Sequence, residues 1–402
     1  MAKSLPIVPK VSIILTSFNH AKYIREAIDS VLSQNYGDYE LIILDDASSD
    51  DSWAIIRSYS DPRIRAFRND KNLGPIHGVN IAISEVASGE YIAIHHSDDV
   101  WEATKLCKQV VLLESRPEIG AVFTWAQVID ELGMESPESW FIQENRSQWE
   151  WLRQLFNAEN HLNHPSALIR KKCYEIVGVY RHGLAQLPDA DMWSRVLTRF
   201  PIHVIQENLT KHRLVSDRSN SSGQRPEVVI RTCNEWNVVR KNFLSIANLN
   251  DIVAIFPGLE RFRMGEEIDN KFLFAMACLH ECDQPSAWQL GLTWLHELIG
   301  DKTTCKKLRQ VYSFTDLDLT RLSAERDAYF ANLEQQIANI SGKFANLKAQ
   351  VERLMQAVSV RDERIAELNQ AVREREDQIA GLLNSKSWRL TKPLRLLWRA
   401  FE

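Results

Sequence analysis

Short β-branched apolar runs alternate with amphipathic helical patterns over residues 11–125. The runs at 11–15, 40–44, 64–67, 91–94 and 121–124 read as strands, because each is brief and bounded by polar or turn residues. Between the first two, Ile24, Ala27, Ile28, Val31 and Leu32 recur at helical spacing within 21–33. The segment 50–59 opens on Ser and Asp residues suited to helix caps, 75–86 carries Pro75 in its first turn, and 102–115 completes the series. This order predicts an α/β unit, Rossmann-like, with a mainly parallel sheet covered by helices on both faces. Ligands of such sheets gather at the carboxyl ends of the strands. Residues 126–215 are mixed, and Trp140, Trp149 and Trp151 cluster there. Core packing is their default reading, and a sugar-stacking wall is the alternative. After a Ser/Arg/Asn loop at 216–226 the pattern is helical to residue 319.

The last stretch differs in kind. No proline occurs between Pro285 and Pro393, and from Phe330 to Leu382 apolar residues alternate at spacings of three and four, interrupted only by Arg361 and Arg375 at d positions. A heptad sustained this long predicts a coiled coil, since a helix packed on a globular body uses a wider stripe. Position a is largely β-branched and d largely Leu, which favours a parallel dimer. Phe330 and Phe344 at a, with Arg at d, keep a trimer open. The expected organisation is an α/β domain at 1–218, a helical region at 219–319, a coiled coil at 320–384 and a basic amphipathic tail at 385–402. In that tail Leu394, Leu397, Trp398 and Phe401 share one helical face beside Lys386, Arg389, Lys392, Arg395 and Arg399. Such a face suits an anionic membrane surface, with capping of the coiled coil or docking on a partner protein as the alternative.

Composition narrows the classes. The 402 residues are 45% hydrophobic and 25% charged, an ordinary globular balance, and the net charge of −5 argues against a nucleic-acid partner. No run approaches the ~18 apolar residues of a membrane span. Residues 1–10 lack the apolar core of a signal peptide, and six sparse cysteines fit a reducing compartment, so the expected location is cytoplasmic. Cys278, His280, Cys282 and Cys305 lack the paired spacing of a zinc site.

The chemistry sits just past two strands. The second runs into Asp45-Asp46 and the fourth into His95-His96-Ser97-Asp98-Asp99, on one edge of the expected sheet. Adjacent carboxylates repel unless a cation or hydrogen-bond donors hold them. Mg²⁺ or Mn²⁺ takes oxygen ligands and bridges to phosphates. Capping is the better reading for Ser48 to Asp51, while for Asp98 and Asp99, both expected to be exposed and to add little stability, capping and a metal stay open on the residues alone.

Five ordered segments carry a resemblance. They are Pro9 to Asn19, Asp45 to Asp50, Asn72-Leu73-Gly74 with Asn80 and Gly89 to Ile92, His96 to Asp99, and Pro188-Asp189-Ala190-Asp191-Met192-Trp193. Over about residues 9–215 the chain resembles the inverting family 2 glycosyltransferases of GT-A fold. The resemblance implies a nucleoside-diphosphate sugar as donor, with Thr16 and Phe18 lining the nucleobase pocket, Asp46 accepting the base N–H, and Asn19 and Asn72 in the nucleotide-sugar site. It implies Asp98 near ribose and metal, Asp99 as ligand of the divalent ion, and Asp189 as general base. His96 stands where many members have the first Asp of the metal motif, and Pro188 where they have Glu. Asp191 and Trp193 read equally as packing or acceptor contacts. His161, His164 and His212 are candidates for diphosphate or acceptor contact, with local hydrogen bonding the plainer reading.

The segment 385–395, S-K-S-W-R-L-T-K-P-L-R, resembles a tail of bacterial surface-polysaccharide glycosyltransferases. It implies a hexosyl- or deoxyhexosyl-transferase acting on a glycan or lipid-linked glycan such as lipopolysaccharide O-antigen, peripheral on the inner face of the cell membrane. The rival function is a coiled-coil scaffold with a degenerate transferase domain. A nucleotidyltransferase is disfavoured, because Thr16 to His20 holds no glycine for a phosphate loop.

Overall fold

Every residue of Val11–Ser17 but Thr16 is buried, as befits a strand covered on both faces. This is β1, at the heart of an eight-stranded sheet. The other strands are β2 (Tyr39–Asp45), β3 (Ile64–Arg68), β4 (Tyr91–His96), β5 (Val100–Trp101), β6 (Ala121–Ile129), β7 (Leu168–Arg170) and β8 (Ile202–Arg213). Their order is β3-β2-β1-β4-β7-β6-β8-β5. The structure is a computed structural model that describes residues 8–215, 225–263, 269–330, 333–386 and 391.

The first four strands in sequence are parallel neighbours, as their pattern predicts. The rest of the sheet adds short antiparallel pairings to this mainly parallel frame. β7 runs antiparallel to both β4 and β6, and β5 antiparallel to β8, while β6 and β8 are parallel. The sheet is therefore mixed. Strands of two and three residues owe their existence to their neighbours and leave no periodic trace.

Alternation along the strands sorts side chains into two cores. Ile13, Leu15, Leu41, Ile43 and Ala93 face one side, with Ile28 and Val31 of helix Ile24–Leu32 and Leu106 and Val110 of helix Lys105–Ser115. Ile14, Ile42, Ile92 and Ile94 face the other, where Trp151, Phe156 and Trp193 pack. That second core continues into Trp236, Phe243, Phe256, Phe272, Leu295 and Leu322. The helices after residue 225 thus share a core with the sheet, and residues up to Tyr329 form one compact unit. Gly89 shows why its motif needs glycine: a Cβ there would lie 2.6 Å from the Ser12 amide nitrogen.

The second unit begins at Phe330. Its helix Leu333–Asn384 runs 52 residues, about 78 Å at ~1.5 Å per residue. The apolar a and d positions lie bare on this helix: Ile340 is 65% exposed, Phe344 69% and Leu354 67%. Among the described residues, no helix is long and apolar enough to cross a membrane. The expected amphipathic tail lies outside the described residues, save Ser385, Lys386 and Thr391.

Candidate functional site

Strand register brings the sequence motifs to one edge. Thr16 of β1 stands opposite His96 of β4, and Ser17 opposite Asp45 of β2. Thr16 is half-buried and Phe18 is exposed. Asn19 and Ala47, each just past a strand end, have φ of 55° and 61°. Asn tolerates that left-handed region through local hydrogen bonds. Here Asn19 Oδ1 accepts the Ser49 N–H at 2.8 Å, while its own N–H donates to Ser48 Oγ. His20 Nδ1 lies 2.7 Å from Ser97 Oγ, tying the loop after β1 to the loop after β4.

Donors hold the first carboxylate pair. Buried Asp45 faces Arg68 Nε at 3.3 Å and accepts the Ser48 N–H. Asp46 Oδ1 accepts from Asn69 Nδ2 at 2.8 Å and the Leu73 N–H at 2.9 Å, and Oδ2 accepts the Gly74 N–H at 2.9 Å. A carboxylate offers about four lone-pair sites, so Asp46 keeps capacity for one more donor. Asn72 is exposed and its Oδ1 accepts the same Gly74 N–H, which shapes the turn that grips Asp46.

The second pair is built differently. Asp98 is half-buried, but Asp99 is only 1% exposed, which corrects the expectation that both are exposed. Asp99 Oδ1 accepts the Arg213 N–H at 2.8 Å and lies 3.2 Å from His212 Nδ1. Its Oδ2 is buried without a hydrogen-bond partner, 3.6 Å from His96 Nδ1. One ligand atom from each of His96, Asp98 and Asp99 falls within 4.8 Å of the others. Burial opposes the charge on Asp99, yet His212 and His96 outweigh it and hold this carboxyl below the usual range. Burial and the neighbouring Asp99 push Asp98 upward. An imidazole and two oxygen donors around an orphaned carboxylate oxygen suit a divalent cation such as Mn²⁺. The departure at His96 therefore adds a nitrogen donor where an oxygen was expected.

Arg213, at the end of β8, braces this loop. Its Nε donates to the Asp98 carbonyl, Nη1 to the Asp130 carbonyl and Nη2 to Glu26, and it is 1% exposed. Sequence reading missed Arg213, although its neighbour His212 was a candidate.

Asp189 and Asp191 both lie in the first turn of helix Pro188–Leu197, where a helix N-terminus favours negative charge. Their surroundings separate them. Asp191 is fully buried and bound by Arg195 at 2.8 and 3.0 Å, Arg181 at 2.7 Å and Asn242 at 2.9 Å. Asp189 is half-buried, with Oδ2 accepting from Asn160 Nδ2 and Oδ1 from the Ala190 N–H, each at 2.8 Å. Burial pushes Asp189 up, and these two bonds with the field of His96 pull it back.

His164 packs between His96 and Trp193, at ring distances of 5.2 and 5.5 Å, and meets the Tyr180 hydroxyl at 2.8 Å. Tyr180 is in turn clamped by Asn80 through its N–H and carbonyl. Trp193 and Trp151 are buried in the core, and Trp149 packs against it. Trp140 is exposed beside Phe141, whose ring meets His212 at 5.3 Å.

Comparison with known proteins agrees with this geometry. The pattern of the family described as Glycosyl transferase family 2 matches residues 12–176. MJ1057 of Methanocaldococcus jannaschii, named an uncharacterized glycosyltransferase, is 30% identical over 211 residues, covering 51% of this chain and 71% of that protein. EpsE of Bacillus subtilis, also named a glycosyltransferase, is 30% identical over 222 residues, 52% and 74% of the two chains. WfaP of Escherichia coli, named a UDP-Glc:alpha-D-GlcNAc-diphosphoundecaprenol beta-1,3-glucosyltransferase, is 40% identical over 105 residues, only 26% and 41% of the two chains. Staphylococcus aureus TarS 1-349, solved with UDP-GlcNAc, shares the fold at a TM-score of 0.52 and 16% identity over 80% of this chain and 91% of that one. A GT-A sheet, its strand-end carboxylates and relatives matched over most of their length lead to one assignment: the chain belongs to glycosyltransferase family 2 and is a glycosyltransferase.

Proposed function

We propose that the chain is a metal-dependent, inverting transferase that moves a sugar from a uridine-diphosphate donor to a lipid-linked glycan of the bacterial surface, lipopolysaccharide O-antigen or a related polysaccharide. The observation that carries the metal-dependent part is Asp99 Oδ2, a buried carboxylate oxygen without a partner beside His96 and Asp98. These three residues would hold the divalent cation, which when bound neutralises charge on the departing diphosphate. Thr16 and Phe18 line the nucleobase pocket, Asn19 belongs to the nucleotide-sugar site, and Asp46 offers its remaining lone pair to a base N–H. Asp189 takes the proton from the acceptor hydroxyl as that oxygen bonds to the anomeric carbon. The bond from that carbon to the diphosphate breaks, and its electron pair leaves with the phosphate oxygen. Asp191 holds the helix and takes no proton.

The donor and acceptor classes are supported by the name of WfaP, and UDP-glucose with a GlcNAc-diphospholipid is the pair to try. Transfer is measured with Mn²⁺ and after chelation. Product formed only with Mn²⁺ is the expected result. Intact UDP binding without turnover of any donor would favour the scaffold reading instead. The bare seam of Leu333–Asn384 is covered by further copies of the chain, which holds several active sites near one acceptor. The basic tail at 385–402 rests on the anionic cytoplasmic face of the membrane. Flotation with anionic vesicles tests the tail, and equal recovery of wild type and a 385–402 deletion rejects it.

A further inference from the structure

We infer that helix Leu333–Asn384 pairs with a second copy as a parallel, in-register dimer, and that two layers fix this register: Arg361 against the partner's Asp362, and Arg375 against the partner's Glu376. The inference rests on the self-association proposed above and specifies its geometry.

The seam is exposed along its whole length around these layers, with Val358 at 55%, Ile365 at 52%, Val372 at 55% and Ile379 at 55%. Arg361 and Arg375 interrupt it at d positions, and among the described residues neither has an ion pair or hydrogen bond. In a parallel pair each d side chain enters a hole formed by the partner's a, d, e and following a residues. Arg361 then meets the partner's Val358, Arg361, Asp362 and Ile365. Arg375 meets the partner's Val372, Arg375, Glu376 and Ile379.

The e positions run Glu334, Ser341, Lys348, Met355, Asp362, Asn369, Glu376 and Leu383. Acids thus follow both arginines, and the one other acid lies near the start of the helix. In register, all four arginines of a dimer meet a carboxylate. A slip of one heptad puts Arg361 beside the partner's Met355 or Asn369, and Arg375 beside the partner's Asn369 or Leu383. A slip of two heptads gives one chain's Arg361 the partner's Glu376 but sets the other chain's Arg361 against Lys348. In an antiparallel pair d faces a, and a is Phe, Ile or Val throughout. Each arginine then loses its acid.

Strand number follows from the same side chains. An arginine stem covers apolar surface while its head seeks water or a counter-charge. Two strands leave the flank of a d position open toward the partner's e residue, whereas three enclose it. Arg361 and Arg375 each face their own copy across the seam, a repulsion that the flanking acids offset, and one rim contact also opposes the arrangement: Lys343 at g faces the partner's Lys348. Both lysines are exposed, so salt screens their repulsion, and every parallel in-register assembly shares it. Polar layers in an apolar seam trade stability for register.

The test uses the full-length chain. Light scattering should give twice the 46.3 kDa chain mass. Arg361→Cys, in a background where the exposed native thiol is removed by Cys233→Ser, should cross-link to a covalent dimer on oxidation, because in-register d residues face themselves. Arg361→Glu with Arg375→Glu should weaken the dimer at least ~10-fold, and adding Asp362→Arg with Glu376→Arg should restore it. A monomeric wild type overturns self-association itself. An oligomer of trimer mass, a dimer that fails to cross-link through Cys at 361, or one indifferent to the charge changes overturns this register while leaving self-association standing.

Discussion

The Glu235 carboxylate accepts the backbone N–H of Leu187 at 2.7 Å, so a helix beyond the α/β sheet holds the residue that starts the Asp189 helix. The same carboxylate takes the N–H groups of Ala185 and Gln186 at 2.9 and 2.8 Å. Glu235 is 5% exposed. The approach to the proposed base is therefore fixed by side chains from the helical region and is not an ordinary surface loop.

Glu235→Ala removes the acceptor of three backbone donors. Each one left without a partner costs about 1–3 kcal/mol, so a loss of about 3 kcal/mol or more is expected by urea denaturation. Turnover should fall further than donor affinity, because the residues proposed to hold the donor lie on other loops. Glu235→Gln retains an acceptor oxygen and should fall between. Wild-type stability in the Ala variant would show that water replaces the carboxylate.

At the Asp98–Asp99 pair, metal affinity and stability should separate. Asp98→Ala should weaken Mn²⁺ binding by more than about 10-fold, the lower end of what even outer-shell changes cost, and leave the melting temperature nearly unchanged. Asp99→Ala should also destabilise by about 1–3 kcal/mol, since the buried Arg213 amide loses its acceptor. Calorimetric titration with Mn²⁺ and thermal melts measure the two effects. Unaltered Mn²⁺ affinity in both variants would sink the site.

These contrasts mark what a sequence discloses. The run 11–15 and its parallel neighbours were legible because alternating burial on two faces leaves a short apolar signature. Asp46 and Asp98-Asp99 were legible because local motif and strand end coincide. Arg213 was not: it reaches Asp98 and Asp99 from more than a hundred residues away, and nothing in K-H-R-L announces a brace. Glu235 reads as one more polar residue on a helix until the chain folds back and places three amides against it. β5 and β7 are too short for any period.

Asp189→Asn preserves shape and removes proton acceptance, so turnover should drop about 10²–10⁴-fold with donor affinity retained. Wild type should also carry a pH signature. Asp189 works as the carboxylate, and burial raises its pKa, so the acid limb of kcat should lie above the ordinary Asp value of about 3.9. Asn160→Ala deletes a hydrogen bond to the charged form and should move that limb to still higher pH. A limb that stays fixed in Asn160→Ala would place the titrating base elsewhere.

Asp191 should give the opposite result from its near neighbour. Its carboxylate is fully buried and joins Arg195, Arg181 and Asn242. Arg195 also donates to the carbonyls of Val177, Gly178 and Val179, so it cannot swing out to water without releasing that turn. Asp191→Asn leaves the Arg195 charge buried beside a neutral amide, and breaking such a pair costs about 3–5 kcal/mol. The exposed side of Arg181 limits its share of that loss. The variant should thus melt well below wild type, yet the fraction that remains folded at low temperature should turn over within a few-fold of normal. Asp189→Asn should melt near wild type and be nearly inactive. If the stable, inactive variant proves to be Asp191→Asn, the two carboxylates have been assigned in reverse.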